Sequence, residues 1–166
     1  MLEAENFLNK IFGNLERVGV DVKGCVLDHV CYRVESIEEY ERFKRELAGK
    51  AELVHEALIS GRPIATYKLH SPLRYQRAGE VREISYLEVP SPKPGSPYRS
   101  GLEHAEFVTS ETFEAIMARY SHLKFDMSGT AKAVNPELRL SFEDCSVKFH
   151  HQSLQDVITF EKNAAL

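Results

Sequence analysis

The sequence predicts an α+β fold made of two βαβββ modules, with an added helix at each end. Three observations carry that expectation. A segment of leucine, acid and histidine followed by apolar alternation occurs twice, as "LDHVCYRV" from Leu27 and "LEHAEFV" from Leu102. Each copy is followed by a stretch of helical periodicity and then by strand-like runs. Between the copies lies the proline-rich stretch "PSPKPGSPYRSG", which cannot propagate a hydrogen-bonded ladder and reads as a connector.

The elements follow in order. Leu8, Ile11, Phe12, Leu15 and Val18 fall at helical spacing, so 3–18 is an amphipathic helix that stops near Gly19. The first strand comes next. Ser36 with Glu39 forms a capping-box signature for a helix over 37–48, with Ile37, Tyr40, Phe43 and Leu47 on one face and Gly49 at its end. Three strand runs complete the first module: "AELVHEALI", "RPIATYKLH" after the turn signal Ser60-Gly61, and "REISYLEV" after Ala78-Gly79. Beyond the connector the order restarts. The second strand leads to a helix over 110–121 carrying Phe113, Ile116, Met117 and Tyr120, then to the strands "KFDMSGTAKAV", "ELRLSFED" and "CSVKFHH". A last helix over 153–162 has Ser153 and Asp156 as its capping pair. The expected organisation is one domain over 1–166: N-terminal helix 1–26, first module 27–90, connector 91–101, and second module with C-terminal helix 102–166.

Composition excludes several function classes. With 43% apolar and 28% charged residues the chain is that of a soluble globular protein. A net charge of −4, with basic residues scattered, lacks the footprint of a nucleic-acid binder. The first twenty residues contain acids before the first lysine and no unbroken apolar run, so neither a signal peptide nor a membrane span is expected, and the cytoplasm is the default location. Three cysteines without a C-x-x-C pair argue against a disulfide framework and a thiolate zinc knuckle, and read as reduced structural residues.

Strand alternation singles out the candidate site. Val30, Tyr32 and Val34 lie on one face of the first strand, and His29, Cys31 and Arg33 on the other. Ala105 and Phe107 likewise oppose His104 and Glu106, and Val147 and Phe149 oppose Lys148 and His150. In "ISYLEV", Tyr86 and Glu88 share the face opposite Leu87 and Val89. One face packs and one is polar. An antiparallel sheet with one wet face gives the same alternation without any chemistry, but three histidines and a glutamate at equivalent places are hard to assign to a wet surface alone.

The segments "LDHVCYRV", "SGRPIATYKLHSPL", "YLEVPSPKPGSPY", "GLEHAEFV" and "SVKFHHQSLQDVI" together resemble the YecM-like family of the vicinal oxygen chelate superfamily, the glyoxalase and extradiol dioxygenase class, over about Leu27 to Ile158. The resemblance implies that the paired modules curl into a mixed-sheet, partly open barrel around a divalent metal. It carries the metal ligands over to His29, Glu88, His104 and His150, the last departing from the glutamate common at that place. Imidazole and carboxylate donors suit zinc, nickel, iron or manganese. Four such ligands on an octahedral ion leave two adjacent positions for neighbouring oxygens of a substrate.

Around that set, Glu106 is the candidate general base. Arg33, Lys148, Tyr86 and Arg62 are candidates for binding an anionic small molecule. Lys68 reads as a rim charge, and His151, next to His150, as a residue facing the other way. The implied function is a metal-dependent enzyme of isomerase, lyase or oxygenase type acting on a small, oxygen-rich acid. The alternative is a non-catalytic protein that sequesters such a ligand in the same cavity. A small-molecule ligand, no nucleic acid, no membrane and a monomer or homodimer are the expected partnerships.

Overall fold

Periodic apolar spacing becomes helix and strict alternation becomes strand along most of the chain. In the computed structural model, which describes residues 3–59, 61–95 and 97–164, the order is α1 (Ala4–Arg17), β1 (Val26–Arg33), α2 (Ile37–Leu47), β2 (Ala51–Ile59), β3 (Arg62–Arg77), β4 (Glu80–Pro90), β5 (Gly101–Val108), α3 (Phe113–Arg119), β6 (Leu138–Ser141), β7 (Ser146–His150) and α4 (Leu154–Ala164). The class is α+β. No helix among the described residues is long and apolar enough to cross a membrane. Ser60 of the expected Ser60-Gly61 turn lies outside the described residues. The chain divides into two units, one holding His29–Glu103, the other holding Glu5–Asp28 and the chain from His104 onward. The N-terminal helix, which precedes the first module in sequence, thus belongs to the unit of the second.

In the first unit the strands run β2-β3-β4-β1. β2, β3 and β4 form an antiparallel meander, and β1, which α2 joins to β2, lies parallel to β4. The β3–β4 hairpin closes on Ala78 and Gly79, both at positive φ, which is the two-residue turn whose twist suits a hairpin. Ser36 caps α2 by accepting from the Glu39 amide at 3.0 Å, and Tyr40 and Leu47 are buried. Val30, Ala65, Ile84, Leu87 and Val89 are fully buried. Burial of such side chains contributes about 1.5–3 kcal/mol each for the larger aliphatics.

In the second unit β5 lies parallel to β7, and β6 antiparallel to β7. α1 buries Leu8, Ile11 and Leu15. Its Phe12 meets Phe107 edge-on at 6.0 Å, and Phe107 stacks on Phe149 at the same distance. Thr112 accepts from the Ala115 amide at 3.2 Å, so α3 starts at Phe113 and not at 110. α4 is capped twice: Ser153 accepts from the Asp156 amide at 3.1 Å, and the Asp28 carboxylate accepts from the Leu154 amide at 2.9 Å.

One expected strand is missing. "KFDMSGTAKAV" contributes a single bridge, Asp126 to Arg139, and otherwise turns. The Asp126 carboxylate accepts from the Ser128 amide at 2.8 Å, and the Thr130 hydroxyl donates to the Met127 carbonyl at 2.8 Å. These short polar side chains satisfy the backbone locally and outcompete a ladder. Within the described residues the second module is therefore βαββ, and the loop runs directly into Glu137, whose Cγ stands 2.2 Å from where a Cβ on Gly129 would be.

Candidate functional site

The first unit brings together donors from two parallel strands. Register places His29 opposite Tyr86 and Cys31 opposite Glu88. His29 and Cys31 are buried, and Tyr86 and Glu88 are half-buried. The ligand atoms of His29 and of Cys31 each lie within 4.8 Å of a Glu88 carboxylate oxygen. His29 and Glu88, two of the residues singled out from sequence, are thus neighbours.

The two arginines expected to bind a ligand converge on the connector. Arg33 donates from Nε to Glu103 at 3.2 Å, and its guanidinium lies 4.8 Å from the centre of the Tyr98 ring. Arg62 donates to the Ser91 carbonyl at 2.8 Å and to the Tyr98 hydroxyl at 3.0 Å. Burial works against the Arg33 charge, but Cys31 and Glu103 outweigh it and hold the guanidinium above its ordinary value. Ser100 adds a further tie, accepting from the Glu35 amide and donating to the Glu39 carboxylate. The connector is strapped down by hydrogen bonds where sequence alone showed only prolines. Lys68 is exposed, in keeping with a rim charge.

The second unit holds a buried ionic cluster. β5 and β7 run in parallel register with Glu106 opposite Lys148, and every residue of β7 is buried. Glu106 is 4% exposed, His104 2%, His150 4% and Lys148 8%. The face that alternation marks as polar is therefore not wet. Lys148 Nζ donates to Glu106 Oε1 at 2.8 Å and stands 3.5 Å from Glu137 Oε2. His104 Nε2 stands 2.9 Å from the same Glu106 oxygen, and His150 Nε2 is in contact with the other, Oε2. Glu137 is also paired with Lys132 at 2.7 Å and Arg139 at 3.3 Å. Its burial alone would raise its carboxyl; the charges of Lys148 and Lys132 outweigh that and hold it below the ordinary value.

The tautomer of His150 follows from its second nitrogen. Nδ1 lies 3.1 Å from the Pro136 carbonyl, which can only accept, so Nδ1 carries the proton. In the neutral ring Nε2 then offers a lone pair, and it faces a carboxylate oxygen. Two lone pairs in contact repel unless a proton or a cation lies between them. The loop thus fixes an imidazole with its free nitrogen aimed inward, as a metal ligand is fixed by a carbonyl on its other nitrogen. That donor chemistry fits a divalent cation. His151 faces away, with Nε2 3.1 Å from the Glu111 carbonyl and its ring 4.3 Å from that of Phe113.

Sequence reasoning passed over Glu137 and Cys31. Glu137 heads the expected strand run "ELRLSFED", where nothing along the chain marks it as a partner of Lys148, whereas Cys31 stood on the His29 face of its strand and was legible by alternation.

The family model described as "YecM protein" matches residues 1–161. Protein YecM of Escherichia coli (strain K12) is 26% identical over 163 residues, covering 89% of this chain and 85% of that protein. A solved structure described as structural-genomics protein EC4020 superposes with a TM-score of 0.76 at 26% identity, covering 94% of this chain and 87% of the other. Methylmalonyl-CoA epimerase from Streptomyces coelicolor, in complex with 2-nitronate-propionyl-CoA, matches with a TM-score of 0.52 at 16% identity over 75% of this chain and 92% of that one. A methylmalonyl-CoA epimerase with methylmalonyl-CoA bound matches with a TM-score of 0.53 at 15% identity, over 76% and 93%. At that identity the likeness is one of fold. The chain belongs to the YecM family and shares the fold of the vicinal oxygen chelate superfamily.

Proposed function

We propose that this protein is a divalent-metal-dependent enzyme of isomerase, lyase or oxygenase type, acting on a small, anionic, oxygen-rich molecule. His29 and Glu88 in the first unit and His104 and His150 in the second are its proposed metal ligands. The observation that carries the reading is the buried Glu106 carboxylate, held between two imidazole nitrogens and the Lys148 ammonium. Groups so far from water are expensive to bury, and such clusters concentrate where chemistry is done. The ion, when bound, supplies a Lewis acid that polarises a substrate oxygen.

The chain's own residues do the rest. Glu106 is the proposed proton acceptor, because it is the carboxylate on which the other side chains converge. Lys148 balances its charge and directs a substrate anion. Tyr86 flanks His29 on the parallel strand and is proposed as a contact for the ligand. Arg33 and Arg62 act on the ligand in concert with Tyr98, since an incoming carboxylate competes with Glu103 for Arg33. The likeness to epimerases whose structures hold a CoA ester supports a small-molecule substrate.

Metal content of the purified protein by plasma mass spectrometry, followed by calorimetric titration with zinc, nickel, iron(II) and manganese, tests the reading. His29→Ala and His104→Ala are each expected to abolish most binding, while His55→Ala, His70→Ala and His122→Ala leave it intact. A wild type that binds none of the four ions would defeat the proposal and leave ligand sequestration as the function. Metal binding with no turnover of any small oxygen-rich acid would also favour sequestration.

A further inference from the structure

We infer that Lys132, Arg139 and Lys148 form a subsite for the carboxylate of a small acid, and that Glu137 is the chain's own occupant of it, displaced when the acid binds. This deepens the small-acid reading above and rests on its anionic ligand, not on the metal. Glu137 is buried, and its two oxygens are divided among three cations. Oε2 stands 2.7 Å from Lys132 Nζ and 3.5 Å from Lys148 Nζ, and Oε1 stands 3.3 Å from an Arg139 Nη. These are the donors that recognise a free acid, gathered around one that the chain supplies.

The cations have capacity left. Among the described residues the Arg139 guanidinium and Lys132 Nζ donate to Glu137 alone. Both side chains reach solvent, whereas Lys148 is buried, so the subsite is open outward and closed inward. Asp126, which Arg139 also attracts, is exposed and accepts from the Ser128 amide. The loop is shaped around Glu137. Gly129 is buried and its φ lies outside the left-handed region, so its missing side chain serves space and not backbone freedom: Glu137 Cγ lies 2.2 Å from where a Cβ would be. Asn135 stands at φ 46 directly before Pro136, a strained conformation of the kind that collects at ligand clamps. At the inner end Lys148 Nζ also donates to Glu106 Oε1 at 2.8 Å. An acid in the place of Glu137 is thus one ammonium away from the proposed proton acceptor.

Calorimetric titration of the full chain with malonate, in low salt with a chelator present, tests this. Glu137→Gln is expected to bind malonate about tenfold more tightly than wild type, and Lys132→Ala and Arg139→Ala at least about tenfold more weakly. Glu143→Gln and Lys124→Ala, at exposed positions, make the same changes of net charge and are expected to move affinity less than about twofold. Glu137→Gln binding no more tightly than Glu143→Gln overturns the displacement, and Lys132→Ala losing no more than Lys124→Ala overturns the subsite. No binding by either wild type or Glu137→Gln overturns both. Should Glu137→Gln fail to fold by circular dichroism, wild type against Lys132→Ala and Lys124→Ala decides, and a wild type that binds no malonate then overturns the inference. The expected pattern in a protein that binds no divalent metal leaves this subsite standing and defeats the metal reading; metal binding without malonate binding does the reverse.

Discussion

Replacing Lys148 by methionine should be among the most costly single changes in the second unit. The Nζ to Oε1 separation of 2.8 Å corresponds to an attraction of about 6 kcal/mol at an effective dielectric of roughly 20. Desolvation of both groups offsets much of that in the folded protein. In Lys148→Met the offset remains on Glu106 while the attraction is gone, so the expected loss is about 3–5 kcal/mol. Glu106→Gln should cost less, because Lys148 keeps Glu137 at 3.5 Å and Glu137 keeps Lys132 and Arg139. The double variant Glu106→Gln/Lys148→Met should recover most of the loss, giving a coupling of about 2–3 kcal/mol. Urea unfolding followed by circular dichroism measures all three against wild type. A loss below about 1 kcal/mol for Lys148→Met, or simple additivity in the double variant, would show that the pair is solvated and would sink the argument that this cluster is a buried, organised site.

The remaining predictions concern the loop, pH and a cap. Gly129→Ala places a Cβ about on top of Glu137 Cγ, 2.2 Å away, with the Glu137 carbonyl oxygen at 3.0 Å, and should destabilise by about 1–3 kcal/mol in the same urea assay; an unchanged midpoint would mean that the loop yields freely. Glu137 has a lowered folded-state value, so its ion pairs stabilise the protein above its ordinary value of 4.5 and that stability is lost as pH falls through the folded value. Wild type should therefore exceed Glu137→Gln in thermal stability near neutrality, with the gap closing below about pH 4.5; a gap that persists in acid would assign the effect to packing. Ser153→Ala should cost α4 about 1 kcal/mol, softened by the second cap from Asp28, and Ser153→Ala/Asp28→Ala should cost more than the sum of the singles. Additive thermal shifts would mean that the two caps act independently.

What sequence alone determined was whatever depends on neighbours along the chain. Helical spacing in α1 and α2, the Ser36 and Ser153 caps, and the faces of β1, β5 and β7 are local properties, set by backbone periodicity and by side chains within one turn. Those faces placed His29 with Cys31, His104 with Glu106, and Lys148 with His150. Alternation reports which face is apolar, not what covers the other, so a wet face and one closed by ion pairs read alike. Tertiary structure decided that Glu106 is buried and that Lys148 is its partner, because ion pairing joins residues far apart in sequence. It also decided that Arg33 and Arg62 meet at Tyr98, which a proline-rich segment brings back to them. The loop from Asp126 to Glu137 shows the competition most directly. Reading "KFDMSGTAKAV" as a strand passed over its turn formers Asp126, Ser128 and Gly129; the Asp126 carboxylate accepts from the Ser128 amide, the Thr130 hydroxyl donates to the Met127 carbonyl, and the resulting turn delivers the Pro136 carbonyl to His150 and the Glu137 carboxylate to Lys148.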